Sequence, residues 1–168
     1  EGRYLLLDTA DFITRSLRQH GTWGSIESRL AKLVAAQFQE PIVIDAGSNL
    51  GAFAVPLGLF LAEHAGTVHC FEPQRIVFQQ LCANVFLNRL DNVYTHQAAL
   101  SDRSGHISLP EFDIEASANL GAFSIEAQVR ENLNRTSEAI GQLHNVEQPG
   151  RTWTVPLVKL DDLGLARH

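Results

Sequence analysis

The chain has 168 residues, a formal net charge of −6 and 45% hydrophobic residues. This length predicts one domain, and the apolar fraction is sufficient for a packed core. Lysine and arginine are scattered singly, so the clustered basic surface of a nucleic-acid-binding protein is absent from the sequence. The longest apolar run, residues 52–62, is too short to span a bilayer, and the first residues do not resemble a signal peptide. We therefore predict that the protein binds neither nucleic acid nor membranes.

The cysteines and histidines limit which kinds of site the chain can form. Cys70 and Cys82 fall in a predicted strand and a predicted helix, and we interpret them as buried free thiols of a reducing, cytoplasmic compartment. None of the seven histidines pairs with another at the helical spacing of metal ligands, so no metal site is predicted. Neither a Gly-x-Ser-x-Gly elbow nor a phosphate-binding loop occurs, which disfavours a hydrolase or an NTPase.

Residues 1–40 are predicted to form a helical leader. A short helix over residues 8–17 has Asp8 or Asp11 as its N-cap, and the glycines of residues 21–24 end it. We predict a second helix with Ser25 as N-cap and one apolar stripe. The stripe contains Ile26, Leu30, Leu33, Val34 and Phe38. Trp23 is interpreted as a core residue in preference to a ligand contact.

Residues 41–109 carry the pattern of a βαβαβ unit. The run at residues 42–44 is apolar without alternation, which is typical of a strand buried on both faces. The helix-length segment after it contains Pro56, so that helix either begins late or is kinked. A second apolar run at residues 68–71, a helix over residues 74–90 and a third strand at residues 93–97 complete the unit.

A glycine turn joins the first strand to its helix. Gly47 and Gly51 flank Ser48, Asn49 and Leu50, and glycine is used where the backbone bends sharply or approaches a ligand closely. Such a turn at a helix N-terminus offers free N–H groups to electron-rich ligand groups. Asn49 caps the helix or reaches a ligand carboxylate, and capping is the preferred interpretation.

Two carboxylates end the first two strands and select the ligand. Asp45 immediately precedes the glycine turn, where it suits a ligand with an ammonium group and repels a pyrophosphate. Glu72 lies 21 residues after Gly51 (72 − 51), the position of an acidic residue that binds ribose hydroxyls. An adenosine with a cationic amino-acid tail satisfies both carboxylates, and S-adenosyl-L-methionine is that molecule.

The third strand ends in small residues. Gln97, Ala98 and Ala99 follow it, and alanine leaves room for a flat ring. We predict that these three residues contact the adenine, although tight helix–sheet packing explains the alanines equally well. His20, beside a glycine break, is the best candidate for acceptor chemistry, but a solvated surface histidine is the preferred interpretation, and no catalytic residue is assigned.

Four ordered motifs resemble the FkbM-type family of S-adenosylmethionine-dependent methyltransferases. They are residues 45–51, residues 70–73, residues 97–102 with Gly105, and residues 155–163. The resemblance covers roughly residues 8–163. It implies an α/β fold, the Rossmann-like, doubly wound parallel sheet of class I methyltransferases, with the cofactor across the first three strands. It also implies O-methylation of a small-molecule or carbohydrate hydroxyl.

The resemblance also sets expectations for the second half of the chain. Residues 110–153 are predicted to be a lid or insertion with a modest helix over residues 125–133, and residues 154–168 to begin a C-terminal half. Because the chain ends soon after residues 161–163, we expect it to hold only the N-terminal, cofactor-binding part, truncated before the fourth core strand.

Two other function classes compete with this interpretation. An NAD(P)-binding oxidoreductase domain would align its three glycines with Gly47, Asn49 and Ala52, so the central glycine is missing. A non-catalytic nucleotide-binding module would keep the pocket without turnover. A homo-oligomer is also left open.

Overall fold

The computed structural model describes residues 2–7, 11–113 and 147–165. The helices are α1 (Phe12–His20), α2 (Ser25–Ala35), α3 (Ala54–Ala62) and α4 (Arg75–Leu87), followed near the C-terminus by a 3-10 helix (Leu160–Leu163). The strands are β1 (Ile42–Ala46), β2 (Thr67–Phe71), β3 (Val93–His96), β4 (Ala99–Leu100), β5 (Gly105–Phe112) and β6 (Glu147–Val158). Among these described helices, none combines the length and apolar character needed to cross a membrane.

A three-stranded parallel sheet forms the centre of the fold. Its order is β1-β2-β3, and α3 and α4 make the two crossovers that parallel pairing requires. Asp45 lies opposite Cys70, and Ala46 lies opposite Phe71. The strands therefore end at the same edge of the sheet, as expected for a Rossmann-like α/β fold. The predicted fold class is confirmed for this part of the chain.

The main core lies between α3 and the parallel sheet. The α3 side chains that are fully buried in this core include Val55, Leu57 and Leu61. Gly58 allows the close approach, because a Cβ there would lie 2.5 Å from a methyl group of Val93. Pro56 falls in the first turn of α3, where its missing N–H costs no helical hydrogen bond. Of the two alternatives for Pro56, the late helix start is correct.

Helix α1 begins at a side-chain cap. The carboxylate of Asp11 accepts a hydrogen bond of 2.8 Å from the backbone N–H of Thr14, which decides between the two predicted caps. The helix ends at Gly21, which has a positive φ of 69°. The observed helix therefore begins and ends later in the sequence than the predicted helix over residues 8–17. Residues 8–10 of that prediction lie outside the described residues.

Helix α2 differs from its prediction in the face that it buries. Gly24 is the N-cap and Ser25 is the first helical residue, while the buried side carries Ser28 and Ala35. The predicted core stripe instead faces solvent, with side chains between 52% and 78% exposed at Ile26, Leu30, Leu33 and Val34. Trp23 is 39% exposed, so its interpretation as a core residue is wrong. The amphipathic pattern was correct, but among the described residues no element covers the apolar face.

A second sheet follows the parallel one in the chain. Its order is β4-β6-β5, with β6 parallel to β4 and antiparallel to β5. Both long strands extend beyond the short predicted strands near residues 106–109 and 154–159. The predicted helix over residues 125–133 and most of the predicted lid fall in residues 114–146, outside the described residues. The division into a leader, core, lid and C-terminal half stays a prediction.

Candidate cofactor site

The ends of the three parallel strands meet at one edge of the sheet. Asp45 is the fourth residue of β1, and Glu72 directly follows β2. The backbone N–H of Glu72 donates a hydrogen bond of 3.1 Å to the carbonyl of His96, the last residue of β3. Parallel pairing thus brings together residues that are far apart in sequence, as the motif spacing predicted. We call Asp45, Glu72 and residues 47–51 the strand-tip site.

The glycine turn folds over the end of β2. The backbone N–H groups of Gly47 and Ser48 both donate to the carbonyl of Phe71, at 2.8 and 3.1 Å. The hydroxyl of Ser48 donates to the carbonyl of Asp45 at 2.8 Å. These bonds hold the turn in one conformation relative to both strands.

The two glycines of the turn have different roles. Gly47 has a φ of 78°, and the space that a Cβ would fill has no atom within 4 Å. Gly51 has a φ of 91°, but a Cβ there would lie 3.0 Å from a methyl group of Leu81. Both positions require glycine for their backbone conformation. Gly47 leaves open space beside the backbone for a ligand, whereas Gly51 allows α4 to pack against the turn.

Asn49 does not cap helix α3. Its side-chain oxygen accepts a hydrogen bond of 2.6 Å from the backbone N–H of the next residue, Leu50, and α3 begins only at Ala54. Asn49 has a φ of 51°, a left-handed conformation that asparagine tolerates better than most residues. Its backbone N–H donates to a carboxylate oxygen of Glu72 at 2.9 Å. The preferred interpretation of Asn49 as a helix cap is therefore wrong, and its backbone links the turn to Glu72.

Glu72 is buried and held by backbone groups. One carboxylate oxygen accepts from Asn49 N–H and the other from Gln74 N–H, each at 2.9 Å, and the residue is 5% exposed. Burial raises the pKa of Glu72 to about 7, the two N–H groups lower it in part, and the charge of Asp45 raises it again. Each oxygen keeps a further lone pair, so the carboxylate can still accept ligand hydroxyls.

Asp45 has an unsatisfied oxygen. Its Oδ2 atom is buried and has no hydrogen-bond partner in the part of the chain that the structure describes. Burial raises the pKa of Asp45 to about 6, and the adjacent Ser48 hydroxyl offsets part of the rise. A buried acceptor without a partner costs about 1–3 kcal/mol, which a donor on a bound ligand would recover. The side chain is therefore suited to a cationic or hydrogen-bond-donating group.

The predicted adenine contacts adjoin Glu72. Gln97 is half-buried and directly follows His96, while Ala98 and Ala99 are 6% and 2% exposed. Ala99 also belongs to β4 and lies opposite Leu157 of β6. The low exposure of both alanines agrees with their packing role, and their contact with a base stays a prediction.

Asn84 is a positioning residue that the sequence prediction missed. It is 0% exposed on α4, its amide nitrogen donates to the carbonyl of Leu50 at 2.8 Å, and its oxygen accepts from the N–H of Leu5 at 2.7 Å. It therefore ties the glycine turn to the N-terminal segment. The available signal was a polar residue on the buried side of α4, which also carries Leu81 and Val85.

Two histidines meet across β2 and β3. His69 Nδ1 lies 3.2 Å from His96 Nε2, and burial lowers the pKa of both, with the charge of His96 adding to the effect at His69. Strand pairing creates this contact, which helical spacing could not reveal. In residues 2–7, 11–113 and 147–165, no cluster of three or more metal-ligating side chains is found.

Comparisons with known proteins give only structural likenesses. No known family model matches the chain, and no curated protein matches its sequence. One similar solved structure is a methyltransferase from Geobacter sulfurreducens, with 20% identity and a TM-score of 0.40. The match covers 56% of this chain and 53% of that protein, so this chain spans about half its length.

Two other similar structures contain ligands. TYW2 from M. jannaschii, in complex with AdoMet, has 16% identity over 79% of this chain and 72% of that one, with a TM-score of 0.36. Magnesium protoporphyrin IX methyltransferase from Synechocystis PCC 6803, with bound SAH, is 14% identical. The match covers 94% of this chain and 75% of that one, with a TM-score of 0.37. The fold assignment rests on the strand order described above and not on these likenesses.

Proposed function

We propose that this chain is the cofactor-binding part of an S-adenosylmethionine-dependent methyltransferase of the FkbM type. The observation that carries the proposal is the unpartnered Asp45 oxygen at the same sheet edge as the buried Glu72 carboxylate. A ligand that satisfies both needs hydrogen-bond donors at two separated points, one of them cationic. An amino acid joined to a ribose has these groups, and the solved structures named above include complexes with AdoMet and SAH.

Each residue of the strand-tip site has a role in this proposal. Asp45 accepts hydrogen bonds from the amino group, and the open space beside Gly47 admits the amino-acid tail. Glu72 accepts hydrogen bonds from the ribose hydroxyls, and Gln97, Ala98 and Ala99 border the base. Ser48, Asn49 and Gly51 hold the turn in place through their backbone conformations and hydrogen bonds.

The protein's contribution to the reaction is positioning. The bound cofactor supplies an activated methyl group, so the residues described here mainly hold the donor in line with the acceptor. Such positioning can supply roughly 7–11 kcal/mol of rate enhancement. We propose O-methylation of a small-molecule or carbohydrate hydroxyl, in the cytoplasm, on the basis of the motif resemblance.

The competing NAD(P)-binding function fits the site less well. A pyrophosphate at the glycine turn would lie close to the buried, unpartnered oxygen of Asp45 and be repelled by it when ionised. Asn49, at the position of the central glycine, carries a side chain that occupies the turn through its bond to Leu50. Neither feature obstructs a ligand with an amino group.

Titration calorimetry tests the proposed function. S-adenosylhomocysteine is expected to bind the purified chain, and NAD is expected to give no binding heat. Glu72→Ala should weaken S-adenosylhomocysteine binding by at least ~1.5 kcal/mol, because a charged acceptor is lost. The control is Asp91→Ala, which removes an exposed carboxylate just before β3, away from the strand ends that form the site. Binding of NAD without S-adenosylhomocysteine would reverse the assignment in favour of an oxidoreductase.

A further inference from the structure

A groove lies beside the glycine turn and has no role in the cofactor site. It has a volume of about 430 Å³ and runs between α3 and the turn that joins α1 to α2. Its polar lining includes His20, Thr22, Ser28, Arg29 and Lys32. We call this cavity the α2–α3 groove.

The groove concentrates positive charge in a chain whose net charge is −6. Arg29 and Lys32 are three residues apart on α2, so their side chains lie on the same side of the helix. Neither forms an ion pair in the part of the chain that the structure describes. The lining also contains one carboxylate, that of the exposed Glu63. Two neighbouring cations without an ion-pair partner among the described residues favour a site for an anionic group.

The opposite wall of the groove is apolar. Pro56, Leu59 and Phe60 of α3 line it, and the Lys32 ammonium lies 5.9 Å from the centroid of the Phe60 ring. A pocket with an apolar wall and a few convergent polar groups is typical of small-molecule sites. The complementary ligand has an apolar ring against α3 and an anionic group against α2.

The position of the groove relates it to the cofactor. Ala52 lines the groove and directly follows Gly51, the last residue of the glycine turn. In the proposed function this turn holds the amino-acid end of the cofactor, which carries the sulfonium and its methyl group. One end of the groove, at Ala52, therefore adjoins the proposed cofactor site.

We propose that the α2–α3 groove binds the methyl acceptor, and that the acceptor carries a carboxylate or phosphate next to an apolar ring. The identification of the ligand as the methyl acceptor rests on the proposed function. The anion-binding property itself rests only on the groove. Arg29 and Lys32 bind the anionic group, Phe60 and its neighbours contact the ring, and His20 borders the same space with a further nitrogen.

Calorimetry with three simple probes tests the groove. Phenyl phosphate and benzoate should bind with dissociation constants of about 1 mM or below, a modest affinity that suits their size. Phenol, which has the ring without the anion, should bind at least about tenfold more weakly. A preference of about tenfold between the two anions would identify the acceptor's group as phosphate or carboxylate.

Two pairs of variants locate the binding. Arg29→Gln with Lys32→Gln should weaken phenyl phosphate binding at least about tenfold, and the charge-retaining pair Arg29→Lys with Lys32→Arg should restore most of it. Arg103→Gln, at an exposed turn elsewhere, is the control and should bind normally. S-adenosylhomocysteine should bind the double glutamine variant with unchanged affinity, which also shows that this variant is folded.

The failures of the two proposals are distinguishable. If S-adenosylhomocysteine binds but neither anion does, or if both anions bind the glutamine variant as they bind the parent chain, the groove proposal is overturned alone. If S-adenosylhomocysteine does not bind the parent chain, the proposed function is overturned, and the assignment of the groove to an acceptor falls with it.

Discussion

The strand-tip site and the α2–α3 groove adjoin each other in the sequence at Gly51 and Ala52, but they are built differently. In the strand-tip site the carboxylate of Glu72 is buried and accepts hydrogen bonds from the backbone N–H groups of Asn49 and Gln74. In the groove Arg29 is exposed and Lys32 half-buried, and neither side chain forms an ion pair with another described residue. Groups held by backbone lose little freedom on binding a ligand, whereas long cationic side chains lose up to about 2 kcal/mol of rotamer entropy.

This difference indicates how each region tolerates change. A buried site depends on its supporting residues, so substitutions should affect folding and binding together. An exposed groove should lose binding without losing stability. Four predictions measure this contrast, in order of decreasing expected effect.

The largest effect is expected from Asn84→Asp. The new carboxylate would be fully buried, would face the carbonyl of Leu50 and could no longer donate to it. We expect the free energy of unfolding to fall by about 3 kcal/mol or more, measured by urea denaturation. Gln79→Glu makes the same chemical change at an exposed position of α4 and should cost far less. Equal costs for the two variants would show that Asn84 does not secure the turn.

Asp45→Asn should weaken ligand binding while it increases the stability of the fold. Loss of the charge is expected to weaken S-adenosylhomocysteine binding by about 10- to 100-fold, since a charge-assisted hydrogen bond is worth about 1.5–3 kcal/mol. The free energy of unfolding at pH 8 should instead rise by about 1–3 kcal/mol, because burial disfavours the ionised carboxylate. Asp102→Asn, at an exposed turn, is the control. A less stable Asp45→Asn variant would contradict the buried-charge account.

Glu72 should make stability depend on pH. Its pKa is raised from 4.5 to about 7, so the folded chain binds more protons than the unfolded chain between these values. The free energy of unfolding should therefore fall as the pH rises from about 4 to about 7, by up to ~3 kcal/mol from this group. Glu72→Gln should flatten that slope in urea denaturation across the same range. A slope that is unchanged in the variant would show that Glu72 is not the group responsible.

The smallest effect is expected in the groove. Arg29→Gln and Lys32→Gln should each change the free energy of unfolding by less than about 0.5 kcal/mol, because neither side chain has an ion-pair partner among the described residues. Thermal denaturation of the two variants beside the parent chain measures this. A loss above about 1 kcal/mol would mean that these cations serve the fold and would remove the contrast with the strand-tip site.

Local patterns in the sequence were sufficient for the parallel unit. Continuous apolar runs predicted the positions of β1 and β2. The expectation that β1 is buried on both faces is wrong, because Ile42 is 43% exposed and no residue of β1 is fully buried. The spacing from Gly51 to Glu72 predicted that two distant residues meet, because parallel strands joined by one helix end at the same edge. The local sequence also predicted Asp11 as one of two candidate caps and the glycine break after α1. Both features depend only on residues a few positions apart.

Only the tertiary structure decided which surfaces are covered and which polar groups find partners. The stripe on α2 predicted an apolar face correctly, but whether another element covers that face depends on residues distant in sequence. Asn49 and Asn84 were ambiguous for the same reason, since an asparagine side chain serves as cap, turn or buried link according to its neighbours. The sequence by itself thus determined the order of strands and helices in residues 12–96 and the two carboxylates at the strand ends, but it did not reveal β4 (Ala99–Leu100). The tertiary structure decided the burial, the hydrogen-bond partners and the groove, because these arise from packing between segments.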